Sequence, residues 1–168
     1  MAAFFEVYFD RVYGLVHRLL GERALAEDVT QEVFYKVHRA AHQLDPDRDP
    51  VPWLMVIAHN ACRDLWRSSA YKLTRRSASI EDTPGLDRAL PARSNPERDA
   101  LASERERLVQ AAIMKLPESL RAPVVMHDYQ GLSHEEIGAA LGIRYAAARK
   151  RYSRALAALG SLLKETLG

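Results

Sequence analysis

Residues 131–156, GLSHEEIGAALGIRYAAARKRYSRAL, decide the fold. Ser133-His134-Glu135-Glu136 has the spacing of a capping box, in which Ser133 caps a helix and Glu136 returns the bond. Ile137, Ala140 and Leu141 then share an apolar side, Gly142 offers a turn, and a second helix is predicted over 145–164. Helix, glycine turn, helix is the layout of a helix-turn-helix. The second helix carries Arg144, Arg149, Lys150, Arg151 and Arg154 at or beyond its start, with no acid until Glu165. That charge suits duplex DNA, because phosphates dominate affinity and arginine reads guanine edges with two hydrogen bonds. A solvated basic face on an ordinary helical hairpin would show the same charges. The cap, the turn and the unbroken positive run together favour DNA.

Reading outward, Asn95-Pro96-Glu97 is an N-cap, a first-turn proline and a first-turn acid. The helix that they open passes through Leu101, Leu108, Ala112, Ile113 and Leu116 and is stopped by Pro117. A further helix is expected over 122–130, with Pro123 near its start and Gly131 closing it. Upstream, 69–95 is rich in Ser, Pro and Arg and has no sustained apolar period, which marks a connection between folded parts. The N-terminal part shows helical periodicity over 4–20, 24–41 and 52–69. LDPDRDPVP, with three prolines and three aspartates, separates the last two. No strand pattern stands out. The expectation is all-α: an N-terminal helical bundle at 1–70, a flexible linker at 71–95 and a C-terminal helix-turn-helix domain at 96–168.

A second basic cluster, Arg63, Arg67, Lys72, Arg75 and Arg76, follows the third helix, with Trp53 and Trp66 beside it and Asn60 one turn before Asp64. Aromatic rings near arginines suit single-stranded nucleic acid, where bases stack while cations track the backbone. Both tryptophans could equally be core, the more so Trp53, which sits at a helix start beside Leu54. Acids gather on the second helix, at Glu27, Asp28 and Glu32, with Gln31 and Phe34 nearby. Such a surface fits a basic protein partner, or is simply solvated.

Catalysis is poorly supported. His134-Glu135 begins like a zinc-protease HExxH, but the fifth position is Gly138. His38 and His42 are four apart without a third ligand of matching spacing, and no phosphate-binding loop or nucleophile elbow is present. No metal, no cofactor and no enzymatic activity are therefore expected. The net charge of +2 and 48% hydrophobic content fit a globular chain rather than a disordered one. The single cysteine, Cys62, suits a reducing compartment. Without a signal-peptide pattern or an uncharged apolar run of membrane-spanning length, the expected location is the cytoplasm, with no membrane insertion.

The order of these segments resembles the extracytoplasmic-function (ECF) group of the sigma-70 family, bacterial RNA polymerase sigma factors. Ala26-Glu27-Asp28-Val29-Thr30-Gln31-Glu32-Val33-Phe34 is similar to that family's AEDlvQEtF, and Pro52-Trp53-Leu54 with Ile57-Ala58-His59-Asn60 to its WLyrIArN, running on into Asp64-Leu65-Trp66-Arg67. Gly131-Leu132-Ser133-His134-Glu135-Glu136-Ile137-Gly138 is similar to its GLSyeEIA, and Leu141-Gly142-Ile143 to its LGI turn. The resemblance implies that Asp28, Gln31, Glu32 and Phe34 grip the clamp helices of the largest subunit of core RNA polymerase. It assigns Asn60, Arg63, Asp64, Trp66 and Arg67 to the −10 promoter element, and Arg144, Arg149, Lys150, Arg151 and Arg154 to the −35 element. It also implies an anti-sigma factor as regulator. The chain departs from the family at Arg144, where a small N-cap is usual, and at Ala146-Ala147-Ala148 and Lys150. A helix-turn-helix regulator acting without polymerase leaves the acidic helix without a role. A sigma mimic that only sequesters an anti-sigma factor leaves both basic clusters without one.

Overall fold

The computed structural model describes residues 2–68 and 96–167. The described residues hold two groups of helices and no strand. In the first group, α1 (Ala2–Leu20), α2 (Arg23–Arg39) and α3 (Val51–Arg67) pack pairwise. A short 3-10 turn at Ala41–Gln43 follows α2. α1 buries Val12, Leu15, Val16, Leu19 and Leu20, and α2 buries Ala26, Val29, Thr30, Val33 and Val37, each a stripe at three- and four-residue spacing. The Pro-Asp loop ends where the Asp49 carboxylate accepts the Val51 amide at 3.1 Å, opening α3 with Pro52 in its first turn.

The second group is α4 (Pro96–Lys115), α5 (Glu118–Val124), a π-helical turn at Val125–Tyr129, α6 (His134–Leu141) and α7 (Tyr145–Leu167). The helix expected over 122–130 begins earlier, because Pro117 serves as N-cap and the chain re-enters a helix at once. Pro123 therefore lies inside α5. Its missing N–H cannot extend the regular ladder, and the π turn follows directly. The connection at 71–95, with Lys72, Arg75 and Arg76, lies outside the described residues, as does the Leu101 side chain.

The two groups share one continuous apolar core. α4, α5 and the π turn all pack against α1, and α6 packs against α3. Polar contacts reinforce this seam. Arg121, only 5% exposed, donates to the carbonyls of Ile113 (3.2 Å), Met114 (3.0 Å) and Leu116 (2.9 Å) at the end of α4, and to that of Leu19 (2.7 Å) at the end of α1. Carbonyls at helix C-termini lack intrahelical donors and carry partial negative charge, so one buried guanidinium satisfies two helix ends together. Arg11 donates to the Gln130 side-chain oxygen (3.3 Å) and backbone oxygen (2.7 Å), while the Gln130 amide donates back to the Arg11 carbonyl (3.2 Å). The Arg18 guanidinium lies 4.1 Å from the centre of the Tyr129 ring.

Candidate nucleic-acid and polymerase interfaces

The capping box forms as the spacing predicts. The Ser133 hydroxyl accepts from the Glu136 amide at 3.1 Å, and the Glu136 carboxylate accepts from the Ser133 amide at 3.0 Å. Gly142 ends α6 in the left-handed region at φ 69°, and the Ile143 amide turns back onto the Gly138 carbonyl at 2.9 Å. A Cβ at Gly138 would lie 2.8 Å from the Ile143 carbonyl oxygen, so this tight turn requires glycine at that position. The result seats α7 against α6, and Ile137 and Ala140 of α6 and Ala148 and Ala155 of α7 are all buried.

The basic residues of α7 do not share one face. Arg149, Lys150 and Arg154 are exposed, with Lys150 central and the two arginines about 140° apart on its flanks. Arg151 is half-buried. Arg144 is exposed, and its carbonyl accepts the first helical bond from Ala148 at 3.0 Å, which places it at the N-cap. Tyr145, 52% exposed, lies under the Arg149 guanidinium at 5.6 Å.

Sequence reasoning missed the clasp behind this helix. His127 and His134 stack at 4.4 Å, and Tyr152 of α7 sets its ring against both, at 4.7 and 5.0 Å. The Tyr152 hydroxyl donates to the Asp128 carboxylate at 2.7 Å, a bond that pushes the phenol's pKa up. The His127 Nδ1 donates to the Leu132 carbonyl at 2.8 Å. Burial, with the nearby charges of His127 and Arg149, holds the His134 imidazole below its usual range. These side chains are a packing joint for the helix-turn-helix. Among the described residues, no cluster of three His, Cys, Asp or Glu side chains could hold a metal.

On α3 the structure separates the five residues assigned to the −10 element. Asp64 and Arg67 are exposed and Asn60 is half-buried, and Asn60 and Asp64 join Trp53, Val56 and Ile57 around an open 520 Å³ cavity that Lys36, Ala40 and Gln43 also line. Trp66 is 7% exposed, edge-on to His59 at 6.4 Å, and shares its flank with half-buried Arg63. The tryptophan read as more core-like is thus the one that lines an open cavity, and the other is enclosed. Helical phase explains this: His59, Arg63 and Trp66 follow i, i+4, i+7 spacing next to the apolar stripe, and Trp53 falls opposite.

On α2, Asp28, Gln31 and Glu32 are exposed together. Glu32 pairs with Lys36 at 3.2 Å, and Lys36 reaches Asp64 of α3 at 3.8 Å. Phe34 turns away from them and packs against Phe5 and Phe9 of α1, with ring centres 4.8 and 6.1 Å away. The aromatic on the acidic face is Tyr35, 62% exposed, a residue the sequence reading passed over. Its spacing of seven from Asp28 and four from Gln31 was a visible signal.

Comparison with known proteins identifies the family. The family description of sigma-70 region 2 matches residues 4–71, and that of sigma-70 region 4 matches residues 106–159. The chain is 39% identical over 145 residues to the ECF RNA polymerase sigma factor SigE of Mycolicibacterium smegmatis, covering 86% of this chain and 54% of that protein. It is 38% identical over 161 residues to the RNA polymerase sigma factor CarQ of Myxococcus xanthus, covering 96% of this chain and 87% of the relative. In fold it is similar to the sigma factor RpoE of Bartonella quintana, solved in complex with the anti-sigma factor NepR. That likeness has a TM-score of 0.77 at 17% identity and covers 97% of this chain and 96% of the other. With both family regions in order and a relative matched over nearly its whole length, the chain belongs to the ECF group of the sigma-70 family of RNA polymerase sigma factors.

Proposed function

We propose that the protein is a promoter-specificity subunit acting in the cytoplasm, which joins core RNA polymerase through α2 and carries it to promoters through α3 and α7. The observation that carries this reading is the placement of opposite surfaces on one chain. Asp28, Gln31, Glu32 and Tyr35 form an exposed acidic face, while Arg149, Lys150 and Arg154 project from a capped, glycine-turned helix-turn-helix. A DNA-binding regulator working alone has no use for the first surface. The N-terminus of α7 would enter the major groove at the −35 element. Asn60, Asp64 and Arg67, with Trp53 in the adjoining cavity, would hold unpaired bases of the −10 element. The domain division at about 1–70 and 96–168 follows from these two tasks, and an anti-sigma factor is the expected regulator. Nothing in these roles calls for a catalytic group. Run-off transcription by core polymerase on a promoter library, with and without the protein, tests the proposal. Promoter-selective transcripts that appear only when the protein is added are the expected result, and identical transcript sets in both reactions refute it.

A further inference from the structure

The outward face of α7 is not symmetric. Ala148, Ala155 and Leu159 mark its buried side, and Lys150 projects almost directly away from them, with the small side chains of Ala146 and Ser153 beside it. Arg149 and Arg154 stand on opposite flanks of that face, and their surroundings differ. Arg149 has an aromatic partner: its guanidinium lies 5.6 Å from the centre of the Tyr145 ring, one turn nearer the helix start. Burial, His127 and the Arg149 charge together hold the His134 imidazole of α6 below its usual range, which puts Arg149 on the flank turned toward α6. Among the described residues, no aromatic ring lies against Arg154.

Tyr145 opens α7 and is 52% exposed, so its ring does little for the core and is free to meet the guanidinium. Helical side chains lean toward the helix N-terminus, so an arginine four residues on lies back over the tyrosine. That lean carries the Arg149 guanidinium to the end of α7 that enters a major groove, where base edges are read. Arg154 starts about 7.5 Å further along the axis. A guanidinium stacked on a ring has fewer rotamers to lose when it forms its paired hydrogen bonds to guanine. A phosphate asks less, because any cation within reach satisfies it.

We propose that Tyr145 is a positioning residue for specificity: its ring fixes the Arg149 guanidinium in the pose that reads a guanine of the −35 element, while Arg154 contacts the DNA backbone. The proposal rests on the promoter-reading function given above, and it assigns the two roles that charge alone leaves open. Tyr145 itself need touch no base. Both members of the pair belong to one helix, so the contact travels with α7 when it meets DNA.

Core polymerase joined to the full-length chain, transcribing a promoter library randomised over the −35 element, reports base choice at each position through transcript counts. The parent should choose guanine at one position, and Arg149→Ala should relax that choice by about tenfold or more. Tyr145→Ala should relax the same position, and that one alone, by about two- to fivefold, the range for an exposed contact between a cation and a ring. Tyr145→Phe should keep the parent's choice, because the ring remains, and Tyr145→Leu should behave as Tyr145→Ala does. Arg154→Ala should lower transcription from every sequence with the choice intact. Parent-like choice in Tyr145→Ala would overturn the proposal, and so would relaxation at a position other than the one that Arg149→Ala relaxes. Relaxation spread over all positions would overturn it too, since Tyr145 would then support the helix-turn-helix as a whole. A selective parent with any of these outcomes defeats the positioning role alone, whereas a parent without selective transcripts defeats the promoter-reading function and the proposal together.

Discussion

Two consecutive helices in this chain begin in opposite ways, and that contrast yields a paired test. α6 has a complete capping box at Ser133. α7 begins at Arg144, whose side chain has donors only and cannot accept from the free amides of the first turn. Arg144→Ser places a hydroxyl where it can accept from Ala146 or Ala147, as Ser133 accepts from Glu136. The expected gain is about 0.5–1 kcal/mol, and Ser133→Ala should lose a similar amount or somewhat more. The continuous core makes the described chain one cooperative unit, for which about 1 kcal/mol moves the melting temperature by roughly 2–4 °C. Arg144→Ser should therefore raise the single transition by about 1–4 °C, and Ser133→Ala should lower it by at least as much. If the C-terminal helices melted alone, the same energies would move one of two transitions about twice as far. Stability and DNA binding should part company. Loss of a phosphate contact at Arg144 lowers affinity for −35 duplex and flattens its salt dependence by about one counterion, even as the fold gains. The measurements are calorimetry on the full chain and duplex binding at several salt concentrations. A parent-like melting temperature for Arg144→Ser, alongside a clear loss for Ser133→Ala, would refute the assignment of Arg144 as an uncompensated N-cap.

Burial, reinforced by Arg63, lowers the His59 imidazole to about 4 from 6.5, so the folded chain keeps it neutral while the unfolded chain protonates below 6.5. Stability should be full above pH 6.5 and fall by up to about 3 kcal/mol as the pH drops to 4, and urea melts should show that slope flattened in His59→Gln. Charge reversal at Asp28 and Glu32 should weaken capture of core polymerase, and Tyr35→Ala should weaken it by about tenfold while Tyr35→Phe retains it, since exposed aromatics commonly anchor such interfaces; parent-like capture by Tyr35→Ala would remove Tyr35 from the interface. Arg149 and Arg154 flank Lys150 from opposite sides, so alanine at each should weaken −35 binding with a different signature: a salt slope smaller by about one for a phosphate contact, or about 1–3 kcal/mol and relaxed choice at one base pair for a guanine contact. Identical signatures in duplex-library binding would count against a division of labour.

The sequence made most of the helices legible because their signals are local. The Ser133 box, the Gly142 turn and the apolar stripes of α1, α2 and α3 each depend on residues within a few positions of one another, and each forms as spacing predicts. The start of α5 at Glu118 lies earlier than the local pattern predicts. Pro117 and Pro123 both suit the start of a helix, and the earlier one caps. On α3, residue type alone does not say which way a helix turns a side chain. Trp53 and Trp66 differ by thirteen residues, and phase relative to Leu54 and Ala58 puts one at a cavity and encloses the other. The same holds for Phe34 and Tyr35, adjacent in sequence and on different surfaces.

The seam between the halves was illegible for a different physical reason. Arg11 meets Gln130 across 119 positions, and Arg121 meets Leu19 across 102. No periodicity relates residues so far apart. Each of these side chains reads as an ordinary solvated or polar residue in its own segment. Hydrogen bonds contribute little net free energy, because water replaces them when they break. Apolar contact between the halves contributes in proportion to area and is lost on opening. A seam that joined the halves by oily surface alone would resist opening. One that ended polar donors on helix carbonyls would align the halves and still yield to a partner. Arg121 and Gln130, both nearly buried, place such bonds between α1 and the C-terminal helices, beside the apolar core that the two groups share.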